Sequence, residues 1–279
     1  MACAQCGAEK GHFFDCPLGG MAALPQAPSP APLPADDDLV SDEDRSTFAR
    51  ARRFALPLAL GAAFLLVNVG PVGFVMHVVF AMWLHEFGHA VCSWLCGAWA
   101  FPLPWVTLTS GERSVFLVLV ELAGLGYLLW RWRARAWPAA VVLVALVVGL
   151  LLPAKKMEAF IVFGGDGGAL VLGTLFMLTV FLPDSARLSR GALRWGFLVI
   201  GAGGFAVVSR QWFAAWRDPA EIPFGMNEGV GLSDATRLVD QLGWTETGLV
   251  RAYLSLSALC LVVLASALTA SFLRAKRPA

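Results

Sequence analysis

The fold class this sequence predicts is an all-α, polytopic transmembrane helix bundle, with one short strand-like loop and a mostly disordered N-terminal tail. Three observations predict it. Of the 279 residues, 58% are hydrophobic and 15% charged, whereas a soluble domain carries about a quarter of its residues charged. Apolar runs of close to the roughly 20 residues that cross hydrocarbon recur from residue 54 onward. Three of the four histidines (His77, His85 and His89) fall within one such run. The net charge of +1, with no basic stripe interleaved with aromatics, excludes nucleic acid as a partner. The lipid bilayer is the expected surroundings.

Residues 1–16 hold Cys3, Cys6, His12 and Cys16. Cys3 and Cys6 have the spacing of a metal knuckle, and His12 and Cys16 follow closely enough to complete four zinc ligands. A zinc knuckle, half a zinc ribbon, or a tail of reduced thiols all fit this pattern. The thiols point to a reducing compartment, so the tail is expected to be cytoplasmic. Residues 1–20 lack the apolar segment of a signal peptide.

Residues 17–53 read as a disordered linker. Pro25, Pro28, Pro30, Pro32 and Pro34 alternate with small residues, which favours extended chain. Two acidic runs follow, and then Arg45, Arg50, Arg52 and Arg53 anchor the first apolar segment on the cytoplasmic side.

The membrane domain is expected over residues 54–279. Spans are placed at 54–70, 74–96, 115–132, 137–153, 159–182, 193–214 and 248–273. That makes seven, or six if the short first segment only dips into the bilayer. Between the second and third, Pro102 and Pro104 forbid a helix, and Trp105 to Thr109 followed by Ser110 and Gly111 suggest a strand and turn. Glu121 in the third span calls for a partner, either an interhelical hydrogen bond or support of a histidine ligand. In the long loop 215–247, Ser233 caps a short helix over 234–242. Its apolar face of Leu232, Leu238, Val239 and Leu242 is expected at the membrane interface. Residues 223–229 before it read as a connector or a lid.

The chemistry concentrates at His85, Glu86 and His89, written HEFGH inside the second span. Two histidines four residues apart project from one helix face and can grip one metal ion. Glu86 sits where it can take a proton from a water that the metal polarises. Imidazole with carboxylate suits zinc. Ionisable groups in lipid cost a few kcal/mol each, which argues against an idle cluster. Asp166, flanked by Gly164, Gly165, Gly167 and Gly168, is the expected third ligand. Its glycines also let a neighbouring helix approach closely. Two spans lie between the motifs, so the end of one and the start of the other meet at the same membrane face.

The run HEFGHAVCSWLCG, with GGDGG in a later helix, resembles the site-2 protease family of intramembrane zinc metalloproteases. The resemblance covers about residues 74–182. It implies zinc held by His85, His89 and Asp166, with Glu86 as the catalytic base and a transmembrane protein as substrate. It also implies a small strand-forming loop after the first motif, where residues 97–114 stand. Residues 156–162 stand where the family carries Asn and Pro ahead of its Asp-Gly. Two other readings are a non-catalytic membrane scaffold that keeps zinc, and a metal-ion transporter with His77 on the path.

Overall fold

The computed structural model describes residues 42–131, 137–182, 186, 192–227 and 231–275, with side chains described from Phe54. Cys3, Cys6, His12 and Cys16 lie outside the described residues. The chain divides into two units, Met1–Thr47 and Phe48–Ala279.

Helix α1, Asp42–Leu66, starts inside the expected linker. The arginine-rich stretch is thus helix rather than open chain. Val67, Asn68 and Val69 then interrupt the helix. Pro71 restarts it at a position where a missing N–H costs nothing. The resulting helix α2, Gly70–Leu95, runs continuously with a π-helical segment at His77–Ala81. Gly97, with φ of 72°, turns the chain at its C-terminus.

Strands β1 (Ala98–Pro102) and β2 (Thr107–Arg113) pair antiparallel, with Pro102 opposite Thr107. The expected strand is therefore present but displaced. Trp105 and Val106 fall in the connection, which is closed by Leu103 N–H donating to the Val106 carbonyl at 2.9 Å. Gly111 lies within β2 rather than in a turn. Pro102 and Pro104 are the reason: they place the reversal earlier than the Ser110–Gly111 pair suggested. Arg113 donates to the carbonyls of Cys96, Gly149 and Leu152, tying the ribbon to the ends of two helices.

Helices α3 (Val115–Arg131) and α4 (Trp137–Leu151) follow, then α5 (Ala154–Leu178) and α6 (Leu193–Arg217). A two-stranded ribbon, β3 (Met226–Asn227) with β4 (Gly231–Leu232), leads into α7, which consists of Asp234–Thr236 and the π-helical turn Arg237–Gln241. Helix α8, Glu246–Ala275, ends the described chain.

Among the described residues, four helices are long and apolar enough to cross a membrane: Gly70–Leu95, Ala154–Phe181, Leu193–Arg217 and Glu246–Leu273. The other three expected spans are shorter. The apolar part of α1 is Phe54–Leu66 and that of α4 is Ala140–Leu151. Helix α3 has 17 described residues, about 26 Å at 1.5 Å each.

The core lies between α2, α5, α6 and α8, where Leu84, Val162, Leu170, Phe205, Trp212 and Tyr253 are all buried. Helices α2 and α5 cross on glycine. A Cβ on Gly88 would sit 2.1 Å from the Gly164 carbonyl oxygen, and one on Gly168 would sit 2.3 Å from the Gly88 Cα. This contact of small residues on both helices brings the HEFGH and GGDGG motifs together.

Candidate metal centre

His85 and His89 sit one turn apart on α2, and their Nε2 atoms are 3.1 Å apart. Each ring is aimed by its other nitrogen. His85 Nδ1 donates to Asp166 Oδ1 at 2.9 Å, and His89 Nδ1 donates to the Ile161 carbonyl at 2.8 Å. Both acceptors belong to α5. With Nδ1 carrying the proton, each Nε2 presents a lone pair to the space between the rings.

The third group there is Asp234. Its Oδ2 lies 3.1 Å from His85 Nε2 and 3.0 Å from His89 Nε2. The three ligand atoms form a compact triangle, all within 4.8 Å of one another. The sides of 3.0 to 3.1 Å approach the roughly 3.3 Å edge of a tetrahedron built from bonds of about 2.0 Å, the bond length of zinc to nitrogen or oxygen. Three lone-pair atoms facing one another repel unless a positive charge lies among them. The Asp234 carboxyl reflects the same demand. Without a metal, protons on the imidazoles would have to serve instead: burial pushes the Asp234 carboxyl up, and charge on protonated His89 and His85 would draw it below the usual carboxylate range.

Asp166, the expected third ligand, stands behind His85 instead. Its two oxygens are taken up by N–H donors, Oδ1 by His85 Nδ1 and Oδ2 by Trp212 Nε1 at 2.7 Å. The close glycine crossing brings α5 past the Nδ1 edge of the ring, while α7 reaches the Nε2 edge. The carboxylate in the convergent group is therefore Asp234, and Asp166 is one bond further out.

Asp234 is positioned by the start of α7. Ser233 Oγ accepts from Thr236 N–H at 3.3 Å, and Thr236 Oγ1 accepts from Gly225 N–H at 2.9 Å. Ala235 and Leu238 are buried in the core. The apolar face expected at the membrane interface thus docks on the protein itself, with Val239 and Leu242 packed against the same core. The Ser233 cap was legible in the sequence. That the first residue after it would reach the paired histidines was not, although an acidic residue in a capped turn of a 33-residue loop was the available signal.

Gly165 makes room for the rings. A Cβ there would lie 2.5 Å from His85 Cε1 and 2.7 Å from His89 Nε2.

No family model, curated protein or solved structure matches the chain. The site is therefore read from its own chemistry.

Glu86 is 5% exposed. Thr107 Oγ1, from β2, lies 2.7 Å from its Oε2 and 2.8 Å from its carbonyl oxygen, and its single proton serves one of them at a time. Glu86 and the convergent group line one cavity of about 510 Å³, whose wall also includes His77, Trp105, Thr107, Pro223 and Arg237. The segment before α7 thus borders the site at Pro223 and Leu232. The expected partner of Glu121 is not found at its Oε2, which has no hydrogen-bond partner among the described residues.

Proposed function

We propose that this chain is a multi-pass membrane metallohydrolase: a zinc-dependent protease that cleaves a membrane-embedded polypeptide. The observation that carries the reading is the triangle of lone-pair atoms from His85, His89 and Asp234, with Glu86 on the wall of the same cavity. Two imidazoles and a carboxylate suit zinc, and three protein ligands leave a position for water or substrate.

Zinc held there supplies a Lewis acid that makes water a better nucleophile and polarises a carbonyl. The protein supplies the rest. Glu86 accepts the proton of the attacking water on its carboxylate and passes it to the departing amine. Thr107 holds that carboxylate toward the ribbon until substrate arrives. Asp166 and the Ile161 carbonyl keep the two imidazoles in the tautomer that binds metal. The cavity wall formed by Trp105 and Val106 limits the water around the reacting bond.

The four long apolar helices support placement in a bilayer. So do outward apolar faces such as Val115 at 76% and Val262 at 61% exposure, which lipid would cover. The resemblance to site-2 proteases supports a transmembrane helix as substrate.

The test is cleavage of a transmembrane reporter peptide by detergent-purified protein carrying Cys3→Ala and Cys6→Ala, with zinc content measured alongside. Glu86→Gln is expected to keep its zinc and lose cleavage by at least about a hundredfold, the scale of a general base. A Glu86→Gln protein that still cuts at the wild-type rate would overturn the assignment. Wild-type protein that binds zinc but cuts nothing would leave a metal-stabilised scaffold.

A further inference from the structure

We propose that Asp166 and Trp212 form an outer clamp that sets the tautomer and aim of His85, with Asp166 making no bond to the metal. The inference rests on the metal centre of His85, His89 and Asp234 proposed above, and it assigns a positioning role to a residue on a third helix.

The geometry is a relay of directed hydrogen bonds. Trp212 Nε1–H donates to Asp166 Oδ2 at 2.7 Å, and His85 Nδ1–H donates to Asp166 Oδ1 at 2.9 Å. An indole nitrogen is only ever a donor, so Oδ2 carries no proton and the carboxylate is fixed as an acceptor. The carboxylate in turn fixes the proton of His85 on Nδ1. Nε2 is left with its lone pair aimed at the triangle. A charged acceptor behind an imidazole also makes the ring a stronger donor to metal. His89 has only the neutral Ile161 carbonyl in that place.

The clamp is rigid. Trp212 is 1% exposed. Its ring stacks on Tyr253 of α8 with centroids 4.2 Å apart, and Tyr253 stacks on Phe163 at 4.4 Å. Phe163 lies one turn before Asp166 on α5. The stack therefore holds the indole and the carboxylate against each other across α5, α6 and α8. Such outer partners change metal affinity by about 10–100-fold when removed.

The experiment is Co(II) titration of the detergent-purified chain carrying Cys3→Ala and Cys6→Ala, the parent for every variant, against a competing chelator, with the visible absorption of bound Co(II) recorded. Trp212→Phe keeps the stacked ring and removes only the donor. It is expected to bind Co(II) stoichiometrically, about 10-fold more weakly, with shifted absorption bands. A defect of folding alone would lower the bound fraction without moving the bands. Asp166→Asn, which reads the clamp independently of Trp212, retains an acceptor for His85 but turns its amide N–H groups toward the indole N–H. It too is expected to bind stoichiometrically and more weakly. In the Asp166→Asn, Trp212→Phe double variant that conflict is gone, and affinity is expected to be no lower than in Asp166→Asn. Tyr253→Phe, which keeps the stack, is expected to match wild type. The proposal is overturned if Trp212→Phe binds with wild-type affinity and spectrum. It is also overturned if Asp166→Asn loses Co(II) as completely as Asp234→Ala, since Asp166 would then be a ligand. A Cys3→Ala, Cys6→Ala parent that takes up no Co(II) would overturn the metal centre itself, and the clamp with it.

Discussion

Gly165 is the residue on which the site is most sharply constrained. An added Cβ would lie 2.6 Å from His85 Nε2 and 2.7 Å from His89 Nε2. Alanine favours a helix over glycine by about 1 kcal/mol, so Gly165→Ala should leave metal-free thermal stability near wild type or above. Zinc content should nevertheless fall severalfold, as measured by elemental analysis of the purified protein. Acid should act on Asp234 in a defined direction. Its carboxyl is held below the usual range, so its stabilising contribution is full above an unfolded value of about 3.9 and fades as pH falls toward the folded value. Amide exchange around α7 in metal-free protein should therefore accelerate only below about pH 4, and Asp234→Asn should remove that step. Exchange at α7 that rose steadily from neutral pH would contradict this.

The crossing of α2 and α5 is where sequence and structure agree best. HEFGH and GGDGG are local patterns, and glycines at helical spacing announce a close approach in either helix alone. Gly88→Ala would drive a Cβ to 2.1 Å from a backbone oxygen that cannot swing away. It should cost about 1–3 kcal/mol or more, read as a fall in thermal midpoint with loss of zinc. The ribbon was legible in kind and not in register, because two prolines compete with a Ser-Gly pair for the turn. The two largest omissions were tertiary. Asp234 lies 145 residues after His89, counted along the chain, on a loop whose cap was visible but whose docking was not. Trp212 read as one more apolar residue of a span, because nothing in a helix pattern says that an indole N–H faces a carboxylate.

For the molecule as a whole, the metal would join elements that otherwise meet only by packing: α2 through two histidines, and α7 through Asp234. Metal bound only by the folded chain stabilises it by mass action, about 2.7 kcal/mol at a hundred times the dissociation constant. Chelation should therefore lower the thermal midpoint of Cys3→Ala, Cys6→Ala protein in detergent and leave the same protein with His85→Ala unaffected. Composition alone pointed to helices apolar enough to cross a membrane. Four of the expected spans are helices long and apolar enough to cross a membrane among the described residues. The tail thiols are a separate zinc candidate, so any metal measurement on the core belongs in a background that lacks them.

The most direct test of the account is the zinc content of purified Cys3→Ala, Cys6→Ala protein with and without Asp234→Ala. Stoichiometric zinc is expected in the first and essentially none in the second, with helicity unchanged. Full zinc retention without the Asp234 carboxylate, or no zinc in either protein, would contradict it.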